Sequence, residues 1–146
     1  MIVIEEFGIF QLLPYNQKTI FESAEKAKEF VSARISQMEV LGCEAETEED
    51  LISIDNGSDI CFNIRMYHAN ASAAEEKDIV SRYYRYKDDL FFEVQRDENA
   101  GTSTVYLYKS GCTTAKPCLI SVEEKASDEE LITLSMDNAE AVSKLL

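Results

Sequence analysis

The sequence predicts a single α+β domain, spanning residues 1–146, with a mostly antiparallel sheet of about six to eight strands, one long helix and a short C-terminal helix. One segment has apolar side chains at three- and four-residue spacing, which is typical of an amphipathic helix. Most other segments are short apolar runs separated by turn residues, so neighbouring strands should pair antiparallel. The 146 residues are 45% hydrophobic and contain no linker or repeat, which favours one domain with one core.

The N-terminal third is predicted to form a strand followed by the long helix. The segment MIVIEEFGIFQLL is rich in β-formers, and Pro14 should end it. The helix is predicted from Ser23 to Leu41, because Ser23 is a good N-cap and Gly42 suits the position after the last turn. Its buried stripe should consist of Ala27, Phe30, Val31, Ile35, Met38 and Leu41.

The segment DLISIDNGSDICFNIRMY predicts a hairpin with Asn56-Gly57 in its turn. A three-residue loop, Asp55 to Gly57, would place Ile52 opposite Ile60 and both on one face. A two-residue loop would separate them, so we prefer the longer loop. The inward side chains would then be Ile60, Phe62, Ile64 and Met66.

The second half predicts a meander and a C-terminal helix. HANASAAEEKD should be a loop or a short helix, and the runs IVSRYYRYK, LFFEVQR, TSTVYLYK and CLISVEE should be strands. The last segment allows a strand, ELITLSM, followed by a short helix, or one helix over 127–146 that begins at Ser127. The alternation of Ile132, Leu134 and Met136 favours the strand.

Negative charge is segregated along the chain. The net charge is −14, and residues 43–62 contain seven acidic and no basic residues, whereas residues 63–118 contain eight of each. Such a field repels nucleic acid and anionic membranes and attracts a cationic protein. The acidic run is therefore a candidate partner-binding surface, although it could also be a solvated loop; its carboxylates are Glu44, Glu46, Glu48, Glu49 and Asp50.

The meander offers a second candidate surface. Alternation places Leu90, Phe92 and Val94 on one face, together with apolar residues of the next strand. The opposite face should carry Phe91 and a group enriched at protein interfaces, namely Arg82, Tyr84, Tyr86, Tyr106 and Tyr108. Alternatively, these rings support the sheet as cross-strand pairs or are covered by a helix.

No pattern in the sequence indicates catalysis, a cofactor or a metal. His68 is the only histidine and has no partner at ligand spacing, and Cys112 and Cys118 are further apart than a C-x-x-C pair. The N-terminus lacks a basic region and a cleavage site, so we expect no signal peptide, a cytoplasmic protein and reduced thiols. We therefore expect a non-enzymatic binding protein without a cofactor.

The acidic composition, the α+β pattern and the ending ITLSMDNAEAVSKLL resemble bacterial immunity proteins, such as those of contact-dependent growth inhibition systems. The resemblance implies a basic toxin domain, such as a nuclease, that a monomeric or homodimeric inhibitor blocks; it assigns no residue. One alternative is a type III secretion chaperone, although such chaperones usually open with a helix. Another is a small-ligand-binding protein or enzyme with an unrecognised pocket.

Overall fold

The computed structural model describes residues 1–70, 79–122 and 126–146. Nine strands and two helices form in these ranges, and every strand pairing is antiparallel. The predicted α+β class and antiparallel pairing are confirmed. The strands form two sheets, of five and four strands, and the chain divides into two compact units, Met1–His68 and Ala69–Leu146. The strand number exceeds the expected range because two strands of the first unit, β2 and β3, were not predicted, while one strand predicted near the C-terminus is helical.

The first unit contains a five-stranded sheet with one helix on one face. The strand order is β2-β1-β5-β4-β3, so β2 and β3 are the edges. Ile4, Phe62 and Ile64 from the sheet pack with Val31 and Met38 of the helix in one core. The elements are β1 (Ile2–Phe10), β2 (Leu13–Phe21), α1 (Ala24–Val40), β3 (Glu44–Glu48), β4 (Leu51–Asp55) and β5 (Cys61–His68).

Helix α1 forms where the sequence predicts it. The Ser23 hydroxyl accepts a hydrogen bond from the Lys26 amide at 3.3 Å, which satisfies one free donor of the first turn. Gly42 has a φ of +82° just after the helix, which is the expected left-handed stop. Leu41 departs from the predicted stripe, because its side chain is exposed.

Two segments of the first unit differ from the prediction. The segment predicted as one strand ending at Pro14 is a hairpin, with Gln11-Leu12 as its two-residue loop and Pro14 paired with Ile9. Proline is tolerated there because β2 is an edge strand. The acidic run, for which the sequence predicted no strand, forms β3 and pairs with β4. In this strand, EAETE, glutamates alternate with Ala and Thr, so it lacks the apolar alternation that predicts a strand.

The β4–β5 hairpin has a longer loop than predicted. Ile52 lies opposite Ile64 and Ile54 opposite Phe62, so the predicted pairing of Ile52 with Ile60 is wrong. The Asn56 side chain closes the loop by accepting hydrogen bonds from the amides of Ser58 and Ile60. This side-chain bonding makes the wider loop stable. Ile60, Phe62 and Ile64 are nevertheless buried, and Met66 packs against them.

The second unit is a four-stranded meander, in the order β6-β7-β8-β9, with a C-terminal helix. The helix is continuous, so the prediction of a strand at ELITLSM is wrong. Its buried residues Leu131, Ser135 and Ala139 follow a four-residue spacing, whereas Leu134 and Met136 of the apparent alternation are exposed. The elements are β6 (Ile79–Arg85), β7 (Leu90–Asp97), β8 (Thr102–Lys109), β9 (Lys116–Val122) and α2 (Asp128–Ser143).

Most of the segment HANASAAEEKD, predicted as a loop or short helix, lies outside the described residues. Neither of the two helices described here is long and apolar enough to cross a membrane.

Candidate functional site

The five carboxylates predicted as a contact surface lie together in solvent. Glu44, Glu46 and Glu48 alternate along β3 and therefore share one face, while Glu49 and Asp50 form the turn into β4. All five are exposed, and β3 is the outer strand of its sheet. No ion pair in the described part of the chain involves any of them. We call Glu44, Glu46, Glu48, Glu49 and Asp50 the acidic edge.

The negative charge extends from the acidic edge onto the adjacent strand, β4. Glu44 lies directly opposite Asp55 of β4, and both side chains are exposed. Like charges at opposed positions of a sheet destabilise the pair. Glu46 and Glu48 lie opposite Ser53 and Leu51, which supply no positive charge. The acidic edge can therefore attract a cation or a basic side chain without first breaking an internal ion pair.

The acidic edge is not arranged as a metal site. In the described ranges, no group of three or more His, Cys, Asp or Glu side chains converges closely enough to hold a metal ion. Successive carboxylates on β3 are two residues apart, which corresponds to about 7 Å along a strand. That spacing suits separate cationic groups of a large partner better than one ion.

The predicted Tyr/Arg surface is not one surface. Tyr84 pairs with Phe92 and Arg82 with Val94, so both lie on the face that α2 covers. Tyr106 and Tyr108 pair with Glu93 and Phe91 and lie on the opposite face. The prediction that these side chains share a face is wrong, because the inward and outward positions predicted for β6 are displaced by one residue. Tyr83, not Tyr84, accompanies Tyr108.

The predicted tyrosines of β6 and its following turn contact the second core and α2. The Tyr86 ring lies 4.8 Å from that of Phe92. The Tyr84 hydroxyl donates a hydrogen bond to Asp128, whose carboxylate also pairs with Arg96 at 2.6 Å. Burial and the bond to Asp128 raise the pKa of Tyr84. These two rings therefore support the attachment of α2, while Arg82 remains exposed.

Tyr108 belongs to a buried polar cluster that the sequence did not reveal. The Tyr83 hydroxyl donates a hydrogen bond to Oε2 of Glu93 and the Tyr108 hydroxyl donates one to Oε1, each at 3.0 Å. All three residues are buried. The available signal was the single carboxylate within the apolar run LFFEV. Tyr106 is half-buried on the same face, and its part in an interface stays a prediction.

A second buried carboxylate lies in the core of the first unit. Glu6 is fully buried, and its two carboxylate oxygens accept hydrogen bonds from Arg34 of α1 at 2.7 and 3.3 Å. The Tyr15 hydroxyl also reaches Glu6, at 3.4 Å. Burial, reinforced by the charge of Glu6, raises the pKa of Tyr15 to about 12. The arrangement fixes α1 on the sheet and leaves Glu6 without contact to solvent.

The four cysteines are free thiols in the structure, with Cys61 and Cys112 exposed and Cys43 and Cys118 buried. His68 is exposed at the end of β5.

Comparison of the chain with protein-family models, with curated proteins and with solved structures found no match. We therefore infer its function from the residues themselves.

Proposed function

We propose that this chain is a non-enzymatic, cytoplasmic binding protein that neutralises a basic protein partner, and that it acts as an immunity protein against a bacterial toxin domain. The observation that carries the proposal is the acidic edge. Five carboxylates stand in solvent at the border of a sheet, without an ion pair among the described residues. The acidic composition and the α+β class, which resemble those of immunity proteins, support the same function.

The acidic edge would attract a basic partner over a distance and then contact it. Steering by a concentrated charge raises association rates by about 10- to 1,000-fold, and the effect weakens when salt shortens the Debye length. A Lys or Arg placed near Glu44 and Asp55 would also relieve the repulsion between this opposed pair. Binding therefore removes a cost that the free protein retains.

Charge on the acidic edge also disfavours pairing of β3 with a second copy of this chain. In the described residues no strand pairs with the outer side of β3, so its backbone groups are open to a further strand. A second copy of this chain would bring glutamates against glutamates, which is unfavourable, whereas a strand rich in Lys or Arg would not. The same side chains thus discourage self-association and favour a basic strand.

The function can be tested with the reading frame directly upstream of the gene. We expect its product to end in a basic domain that arrests growth when expressed in bacteria, and co-expression of this chain to restore growth. Purified, the two proteins should form a complex. If this chain neither restores growth nor binds that domain, the proposed function is wrong.

The role of the acidic edge can be tested separately by kinetics. Changing Glu46 and Glu48 to Gln should slow association with the basic domain at low salt, by about tenfold if steering is typical, and should flatten the salt dependence. Changing Glu29 and Glu39 of α1 to Gln is the matched control. Those side chains are also exposed, and the change in net charge is equal. Equal rates for the two variants would show that position on β3 does not matter.

A further inference from the structure

Three large apolar side chains are exposed at the tip of the β1–β2 hairpin. Ile9, Leu12 and Leu13 are 48%, 77% and 68% accessible to solvent, and all three fall within five consecutive positions. Ile9 pairs with Pro14 and Leu13 with Phe10, so Ile9 and Leu13 lie on opposite faces of the hairpin and Leu12 lies in the turn between them. Single exposed apolar residues are ordinary, but three at one hairpin tip indicate a contact site. We call Ile9, Leu12 and Leu13 the apolar tip.

The backbone of this tip is strained in a way that its sequence does not relieve. Gln11 and Leu12 have φ values of +52° and +65°. Two positive values in a two-residue loop define the type I′ family of hairpin turns, which strongly prefers Asn-Gly. A bulky residue such as leucine is disfavoured there. The fold therefore holds a leucine in solvent at a position that suits Asn or Gly better.

The apolar tip lies at the same end of the sheet as negative charge. Ile9 pairs with Cys61, Cys61 with Asp55, and Asp55 with Glu44, so all four side chains stand in one row on one face. With strands about 4.8 Å apart, Asp55 lies about 10 Å from Ile9 and Glu44 about 14 Å. The Leu12 amide also donates a hydrogen bond of 3.0 Å to the Asp59 carbonyl, which fixes the tip to the β4–β5 loop.

We propose that the apolar tip is the hydrophobic anchor of the interface with the basic partner, with Leu12 at its centre. The partner should present an apolar recess bordered by Lys or Arg, which would meet Asp55 and Glu44 while Leu12 is buried. This inference rests on the proposed function and specifies where the partner gains affinity beyond charge. An apolar core with a polar rim is the usual anatomy of such an interface.

The first test separates affinity from stability. Changing Leu12 to Asn places a residue that tolerates positive φ at a strained position, so the thermal midpoint should rise. The same variant should bind more weakly, because the anchor is lost. Leu145→Asn is the matched control, since Leu145 is 71% exposed at the other end of the chain. If Leu12→Asn lowered the midpoint, Leu12 would be a structural residue and the inference would be wrong.

Affinity can be measured with two defined peptides, one of Lys and Leu and a matched one with Ser in place of Leu. The full-length protein should bind the Lys/Leu peptide about tenfold more tightly, as expected for burying one leucine side chain. Leu12→Asn should remove this preference, and Leu145→Asn should keep it. Both peptides should lose affinity as salt rises.

The possible failures differ in what they refute. Equal, salt-dependent binding of the two peptides would refute the apolar anchor and leave the acidic binding function intact. Absence of binding by either peptide would argue against both. A dimer of this chain that Leu12→Asn dissociates, seen by analytical ultracentrifugation, would mean that a second copy covers the tip and would also refute the anchor.

Discussion

Gly8 allows close contact between β1 and β5. It has a φ of +146°, and a Cβ atom at this position would lie 2.5 Å from the Cys61 carbonyl oxygen and 2.6 Å from the Phe62 Cα atom. Both are backbone atoms of β5 and cannot move aside without disturbing the strand. On β2, Tyr15 lies opposite Gly8, and its ring packs 5.4 Å from that of Phe62. An aromatic neighbour thus covers the gap that glycine leaves.

Changing Gly8 to Ala should therefore destabilise the protein by about 3 kcal/mol or more, because backbone strain and overpacking add. Urea unfolding would measure the loss. Gly57→Ala is the control: Gly57 also has positive φ, but an added Cβ would meet nothing within 4 Å, so we expect a cost of only about 1–2 kcal/mol. Similar losses for both variants would contradict the close approach.

The cysteines should differ in reactivity because their burial differs. Burial raises the pKa of Cys118 to about 11, and burial with the charges of Asp55 and Asp59 raises that of Cys43. Since the thiolate is the nucleophile, iodoacetamide at pH 8 should modify Cys61 and Cys112 at least about tenfold faster than the other two. Mass spectrometry of digests would follow each site.

In denaturant the four cysteines should react with iodoacetamide at similar rates. This control shows that the difference in the native protein does not come from the neighbouring residues in the sequence. Modification of Cys118 in the native protein at the rate of Cys112 would be inconsistent with the burial seen here.

At the scale of elements, the sequence pattern predicted α1 and most strands. It did not predict a turn that lacks Gly, Pro, Asn or Asp. Helix α1 has a cap, a stripe and a stop, so several signals agree. The β1–β2 turn is Gln-Leu, which carries no local signal; the pairing of β1 with β2 and the hydrogen bond from the Leu12 amide to the Asp59 carbonyl fix it. The acidic edge was identified as a candidate site from charge alone. Its strand structure depends on pairing with β4, which composition does not encode.

The start of α2 depends on a charged contact. Asp128 lies in the first turn and binds Arg96 and Tyr84, and Ser127 caps the helix. Burial alone would raise the pKa of Asp128, but hydrogen bonds from Tyr84 and Arg96 and the charges of Arg96 and Arg82 together lower it. A carboxyl whose pKa is lowered in the folded state stabilises the fold above its unfolded pKa.

The contribution of Asp128 should therefore be present at neutral pH and be lost as pH falls below 3.8, the ordinary value for this group. At pH 7, Asp128→Asn should be less stable than the wild type by about 1 kcal/mol. At pH 3 the difference should be smaller. Unfolding by urea at both pH values measures it, and Asp97→Asn, outside this contact, is a control. An unchanged difference at pH 3 would rule out the charged contact.

At the scale of the whole molecule, the net charge of −14 opposes compactness. Part of this charge is paired: ion pairs among the described residues include those of Glu6 with Arg34, Glu140 with Lys87 and Asp128 with Arg96. The first and third are partly buried and therefore resist screening. Most of the remaining acidic residues are exposed. Salt should therefore weaken the repulsion among these carboxylates more than it weakens the attraction within the ion pairs.

Raising NaCl from about 10 mM to 200 mM, where the Debye length falls from about 30 Å to below 10 Å, should therefore raise the thermal midpoint by a few degrees. The variant with Glu46, Glu48, Glu49 and Asp50 changed to Gln or Asn should start from an equal or higher midpoint and gain less from salt. Calorimetry at several salt concentrations would show this. A midpoint that falls with salt would mean that attractive pairs dominate the electrostatics.

The order of strands has a consequence for how quickly the two sheets assemble. In the second unit every pairing joins strands that follow one another along the chain, in the order β6-β7-β8-β9. In the first unit β1 forms a local hairpin with β2, but its pairing with β5 is non-local, because Ile2 pairs with His68 across α1 and three strands. Closing so long a loop costs entropy before any contact compensates for it, and non-local pairing slows folding. The C-terminal meander should thus gain hydrogen-exchange protection first, and the pairing of β1 with β5, where Gly8 permits the close approach, should form last.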